Sequence, residues 1–167
     1  MRNLERRESD GFNYELRITN YELLLGGALT MFKILGVDHI GIAVTDLKEV
    51  GGFWETLGLA STGEETVADQ KVTTGFYPTA NGAEIELLAA TADDSPIAKF
   101  IEKNGGRGGI QHIALRVDNL EAAIADLQEK GVRMIDKAPR KGAGGAMIAF
   151  LHPKSTHGVL LELCQRD

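Results

Sequence analysis

The sequence predicts an α+β fold: two paired βαβββ modules forming one curved, barrel-like mixed sheet with the helices on the outside. Three observations predict it. The segment Val37-Asp38-His39-Ile40-Gly41-Ile42-Ala43-Val44 returns as Ile110-Gln111-His112-Ile113-Ala114-Leu115-Arg116-Val117, with the histidines 73 residues apart. Glu84-Ile85-Glu86-Leu87-Leu88 is echoed in the same way by Leu160-Leu161-Glu162-Leu163-Cys164. Such an echo is the signature of a duplicated structural unit. Finally, the echoed segments alternate with the period of a strand, whereas the stretches after the first of each pair carry helical spacing.

The elements follow in order. Residues 1–30 stand apart: a near-duplicated stretch (13–19, then 20–25) is too short for a coiled coil, and scattered acids among the arginines do not fit a secretory signal. This part is expected to be a disordered or non-native N-terminal extension, with the domain beginning at Met31. The first module spans about 36–90 and the second about 109–165. After the first strand, Thr45 or Asp46 can cap a helix with apolar positions Val50, Phe53, Trp54 and Leu57. Gly51-Gly52 weakens its middle. In the second module Asp118 or Asn119 precedes Leu120, Ala123, Ile124 and Leu127. Gly58 and Gly131 suit the left-handed residue that ends each helix. Ser95-Pro96 opens a linking helix at about 95–104, serine as cap and proline at the first helical position. Strands near 60–68, 71–78, 132–136 and 146–152 complete the modules.

Composition bounds the function. The 167 residues amount to one domain, and 43% apolar with 25% charged residues is ordinary for a globular protein. A net charge of −6 offers no basic face to neutralise phosphates, which argues against a nucleic-acid partner. The single cysteine, Cys164, excludes an internal disulfide framework. No apolar run reaches the roughly 18 residues of a membrane span. The chain is expected to be cytoplasmic.

Alternation then sorts the strands by face. Ile40, Ile42 and Val44 share one face and His39, Gly41 and Ala43 the other; Ile113, Leu115 and Val117 oppose His112, Ala114 and Arg116. Ile85 and Leu87 oppose Glu84, Glu86 and Leu88, and Leu161 and Leu163 oppose Leu160, Glu162 and Cys164. The apolar faces must pack on helices, so His39, Glu86, His112 and Glu162 are left to converge on the concave side. Two imidazoles and two carboxylates suit a divalent metal, and the ligand types admit Co2+, Mn2+, Ni2+, Zn2+ or Mg2+. Glu84 has no acidic echo and reads as a rim residue, as do His152 and His157 in a turn.

The chain from about 36 to 165 resembles the vicinal-oxygen-chelate superfamily of paired βαβββ modules, and within it the methylmalonyl-CoA epimerases. Asp38-His39-Ile40-Gly41 and Gln111-His112-Ile113-Ala114 are shared widely across the superfamily. Asp94-Ser95-Pro96-Ile97-Ala98-Lys99-Phe100 and His152-Pro153-Lys154-Ser155 are specific to the epimerases. The resemblance implies metal ligation by His39, Glu86, His112 and Glu162, often of cobalt. It also implies interconversion of (R)- and (S)-methylmalonyl-CoA by α-proton abstraction through a metal-stabilised enolate, with Glu162 as one catalytic base. In some relatives a second acid sits on the third strand. Aligned on Gln70, that position is Thr74, which cannot act as a base, leaving Lys71, Glu84, a metal-bound water or a mobile group. Arg140, Lys141 and Lys154 are the candidates for holding the polyanionic acyl-CoA substrate, beside a glycine loop at 142–145. A homodimer is the expected assembly. The competing readings are a glyoxalase-type enzyme acting on a thiol adduct, an extradiol dioxygenase, which the fourth ligand Glu86 disfavours, and a metal-free binding protein of the same fold.

Overall fold

The computed structural model describes residues 30–166, and the expected N-terminal extension, but for Thr30, lies outside them. The chain runs β1 (Ile34–Val44), α1 (Leu47–Thr56), β2 (Gly63–Val67), β3 (Val72–Pro78), β4 (Glu84–Ala90) and a linking helix α2 (Pro96–Lys103). It continues with β5 (Gly109–Val117), α3 (Leu120–Glu129), β6 (Arg140–Lys141), a 3-10 turn (Ala143–Gly145), β7 (Met147–Leu151) and β8 (Leu161–Gln165). The strands form one curled mixed sheet in the order β2-β3-β4-β1-β5-β8-β7-β6. That order is symmetric about the β1–β5 seam. β1 lies parallel to β4 and β5 parallel to β8, while β1 and β5 run antiparallel. The duplicated sequence is therefore a pseudo-twofold in space, and the two modules join through their first strands.

Capping fixes where each helix starts. Asp46, rather than Thr45, caps α1 by accepting the Glu49 N–H at 2.9 Å. Asn119, rather than Asp118, does the same for α3 through Ala122 N–H at 2.9 Å. Ser95 caps α2 through Ala98 N–H at 3.0 Å, with proline next. Gly58 and Gly131 follow α1 and α3 with φ of 91° and 77°, the left-handed conformation expected of them.

Both outer faces of the sheet carry the apolar residues that alternation assigns to them. Ile42, Val44, Ile85 and Leu87 pack with Leu47, Val50 and Trp54 of α1, and Leu115, Val117, Leu161 and Leu163 pack with Leu120, Ala123, Ile124 and Leu127 of α3. The stripe expected on α1 needs correction: Phe53 and Leu57 are 57% and 60% exposed. The inward face runs through Leu47, Val50, Gly51 and Trp54, and a glycine leaves no hydrophobic mark in the pattern. The strand expected at 132–136 is also absent; only Met134 bridges to Leu151, and the edge strand is Arg140–Lys141. The Asp136 carboxylate accepts the Phe150 N–H at 2.9 Å, which a ladder carbonyl would otherwise take, and the chain leaves the edge until Arg140.

Candidate active site

The concave side of the sheet holds a cavity of about 230 Å³ whose floor is formed by His39, Glu86, His112 and Glu162. All four are buried, at 3–5% exposure. Two irregularities of the ladder aim the histidines. Along the β1–β5 seam, Val37 pairs with Leu115 and His39 with Ala114, so Asp38 is an extra residue in β1. Gly41 pairs with His112 and Ile42 with Ile110, so Gln111 is extra in β5. A bulge of this kind turns two successive side chains toward one face. Gly41 then makes room for the partner ring: a Cβ there would lie 2.2 Å from the His112 imidazole.

The imidazoles meet edge to face, with centroids 5.1 Å apart and Nε2 atoms 2.9 Å apart. His39 Nε2 is 3.6 Å and His112 Nε2 3.7 Å from the Glu162 carboxylate. Glu86 Oε1 lies 3.5 Å from His39 Nδ1. His39, His112 and Glu162 thus bring ligand atoms within 4.8 Å of one another; Glu86 stands beside this group rather than in it.

The donor set fits a divalent cation. Two imidazole nitrogens bonded to one cation at about 2.1 Å and at right angles are about 3 Å apart, close to the spacing of the two Nε2 atoms. Glu162 Oε1 is buried with no hydrogen-bond partner among the described residues, and a carboxylate oxygen left so is costly unless something else binds it.

Electrostatics follows from burial. Desolvation pushes Glu162 up to about 7, against the attraction of His39. Burial also raises Glu86. Burial and the neighbouring His39 drive His112 down to about 3. Burial would lower His39 as well, but its hydrogen bond to Asp38 and the charges of Glu86 and Glu162 outweigh that and raise it. Asp38 itself is held far below the usual carboxylate range: its desolvation is overcome by His39, Arg166 and Arg116. Burial keeps the Cys164 thiol protonated, so it offers no thiolate.

Of the residues expected to hold substrate, Arg140 lines the cavity, its guanidinium 5.3 Å from the Phe150 ring centre and its Nε donating to Asp136 at 3.2 Å. Lys141 and Lys154 do not line it; the Lys141 carbonyl accepts from Gln70 Nε2 at 3.2 Å across the mouth. Thr74 is a buried part of the wall. Lys71 and Glu84, the offered substitutes for a second base, are outside it. Lys71 is ion-paired with Asp94, and Glu84 lies 3.7 Å from Arg166 at the rim. Asp38, Gln111, Arg116 and Arg166 received no role from the sequence, because strict alternation sends Asp38 and Gln111 to the opposite face. The signal available was that Asp38 and Gln111 each directly precede a repeated histidine.

Residues 38–150 match the model of a family described as the Glyoxalase/Bleomycin resistance protein/Dioxygenase superfamily. Ethylmalonyl-CoA/methylmalonyl-CoA epimerase of Cereibacter sphaeroides is 40% identical over 131 residues, which cover 77% of this chain and 96% of that protein. The crystal structure of methylmalonyl-CoA epimerase from Mycobacterium tuberculosis is 36% identical with a TM-score of 0.77, covering 84% of this chain and 93% of that one. A variant of Streptomyces coelicolor methylmalonyl-CoA epimerase in complex with 2-nitronate-propionyl-CoA is 37% identical, with a TM-score of 0.74, covering 80% and 98%.

Proposed function

The chain belongs to the Glyoxalase/Bleomycin resistance protein/Dioxygenase superfamily, and we propose that it is a metal-dependent epimerase interconverting (R)- and (S)-methylmalonyl-CoA. The observation that carries this reading is the buried convergence of His39, His112 and Glu162, one histidine from each module, in a chain that has methylmalonyl-CoA epimerases among its relatives.

The substrate carbon lies between a carboxylate and a thioester, and the thioester carbonyl acidifies its proton. His39, Glu86, His112 and Glu162 would hold the divalent cation, Co2+ by family resemblance, and its Lewis acidity would stabilise the negative charge that develops on the substrate oxygens. Glu162 is one of the two bases: it takes the proton from one face of the carbon, and inversion requires a donor on the opposite face. The surrounding wall of Val72, Leu88, Ile97 and Ile148 keeps bulk water from the developing charge. Arg140 lines the cavity and supplies a positive group for an anionic substrate. The acyl-CoA is drawn to an acidic protein by local charge of this kind.

A coupled assay that consumes only the (2S) epimer tests the proposal. Starting from (2R)-methylmalonyl-CoA, the cobalt-loaded chain should produce signal, and Glu162→Gln should lower the rate by about 10²–10⁴-fold, the usual contribution of a general base. A wild-type chain that binds cobalt and gives no signal rejects the epimerase and points to a thiol-adduct substrate.

A further inference from the structure

Ligand chemistry does not account for the two bulges. Each places one extra residue immediately before a histidine, and each extra side chain turns back onto the ring that follows it. His39 Nδ1–H donates to Asp38 Oδ1 at 2.9 Å, and His112 Nδ1–H donates to Gln111 Oε1 at 2.5 Å. In a regular strand neighbouring side chains point to opposite faces, and neither contact could form. The hydrogen bond made by one ring nitrogen decides which nitrogen carries the proton and which is free to bind a metal.

We propose that Asp38 and Gln111 are positioning residues: each holds the Nδ1–H of the histidine after it and so turns both Nε2 atoms toward one shared cation. The proposal rests on the metal reading above. The two holders differ in kind. Asp38 is 1% exposed and is gripped by two arginines, Arg116 Nε at 2.7 Å and Arg166 Nη2 at 2.9 Å. Arg166 Nη1 also donates to the Gly144 carbonyl at 3.1 Å, while the Glu65 carboxylate accepts the Gly144 N–H at 2.8 Å. The loop at the cavity mouth is thereby tied through one guanidinium to the group that holds His39. Gln111 is a neutral amide in the cavity wall, outside any ion pair. His39 is set by a charged, cross-braced partner, and His112 by a single amide.

The test uses the full chain with ¹⁵N-labelled histidine, stripped of metal, and long-range proton–nitrogen correlation to read the ring tautomers. Wild-type His112 should appear as the Nδ1–H form, Gln111→Leu should shift it to the Nε2–H form that the free ring prefers, and Gln111→Glu should preserve it. Titrated with Co2+ and followed by visible absorption, Gln111→Leu should bind about 10–100-fold more weakly, and Gln111→Glu should return to within about threefold of wild type. Leucine in place of Asp38 would strand two arginine charges and endanger the fold, so Asp38→Asn carries the His39 arm, with Co2+ affinity falling about 10-fold. An Nε2–H tautomer in wild-type His112, or an unchanged tautomer and affinity in a folded Gln111→Leu chain, overturns the proposal. A wild-type chain that takes up no Co2+ overturns the metal reading instead, and the tautomers then still decide the positioning roles.

Discussion

Glu162 carries opposing demands. As the proposed base and ligand it must ionise, yet burial lifts its pKa to about 7 and leaves Oε1 without a hydrogen-bond partner among the described residues. A group whose folded pKa is raised contributes stability at low pH and loses it as the pH climbs through that value. In the metal-stripped protein this loss should fall between about pH 4.5 and 7. Glu162→Gln has no proton to lose, so at pH 8 its melting temperature should exceed wild type by roughly 6–12 °C, since the raised pKa is worth about 3 kcal/mol and each kcal/mol about 2–4 °C in a domain of this size. At pH 5 the two should melt together. Equal melting at both pH values would contradict the assigned burial cost. Gly41 makes the complementary case for space. A Cβ at 41 would meet the His112 ring at 2.2 Å, so Gly41→Ala should displace that ring and weaken Co2+ binding about 10-fold or more, measured by the same visible titration.

Among the elements, α1 shows how neighbouring positions of one residue type can have opposite meanings. A Cβ at Gly51 would lie 2.2 Å from Tyr77 Oη, whereas at Gly52 it would meet nothing within 4 Å. Gly51→Ala should therefore destabilise by about 1–3 kcal/mol through overpacking, and Gly52→Ala should stabilise by about 0.5–1 kcal/mol through helix propensity. Urea midpoints at constant slope would read both changes. The sequence showed two glycines weakening a helix and could not show that one is a close approach to a strand. The same limit explains the other differences. The repeat, the caps and the two faces of the sheet were legible because each depends on local pattern: period two in the strands, Asp46 or Asn119 before a helical run, glycine after it. The bulges at Asp38 and Gln111 were not, since an extra residue in a ladder is defined by its partner strand. The broken edge after Met134 was hidden for a related reason, because it turns on the Asp136 carboxylate capturing a backbone N–H fourteen residues away.

At the scale of the whole molecule, the site is split between modules. β1 brings His39 and β4 brings Glu86, while β5 and β8 bring His112 and Glu162, so a cation held there crosslinks the two halves across the β1–β5 seam. Binding only to the folded chain stabilises it by mass action, about 2.7 kcal/mol when free ligand is 100-fold above its dissociation constant. Cobalt loading should accordingly raise the melting temperature by roughly 5–10 °C, and His112→Ala should abolish that shift. The proton chemistry is the central claim, and the loss of the α-proton of (2R)-methylmalonyl-CoA in D₂O, followed by NMR, tests it most directly. Cobalt-loaded protein should wash deuterium into that carbon, while metal-stripped protein and cobalt-loaded Glu162→Gln should leave the proton in place. Retention of the proton by wild-type protein shown to hold its metal would contradict the account.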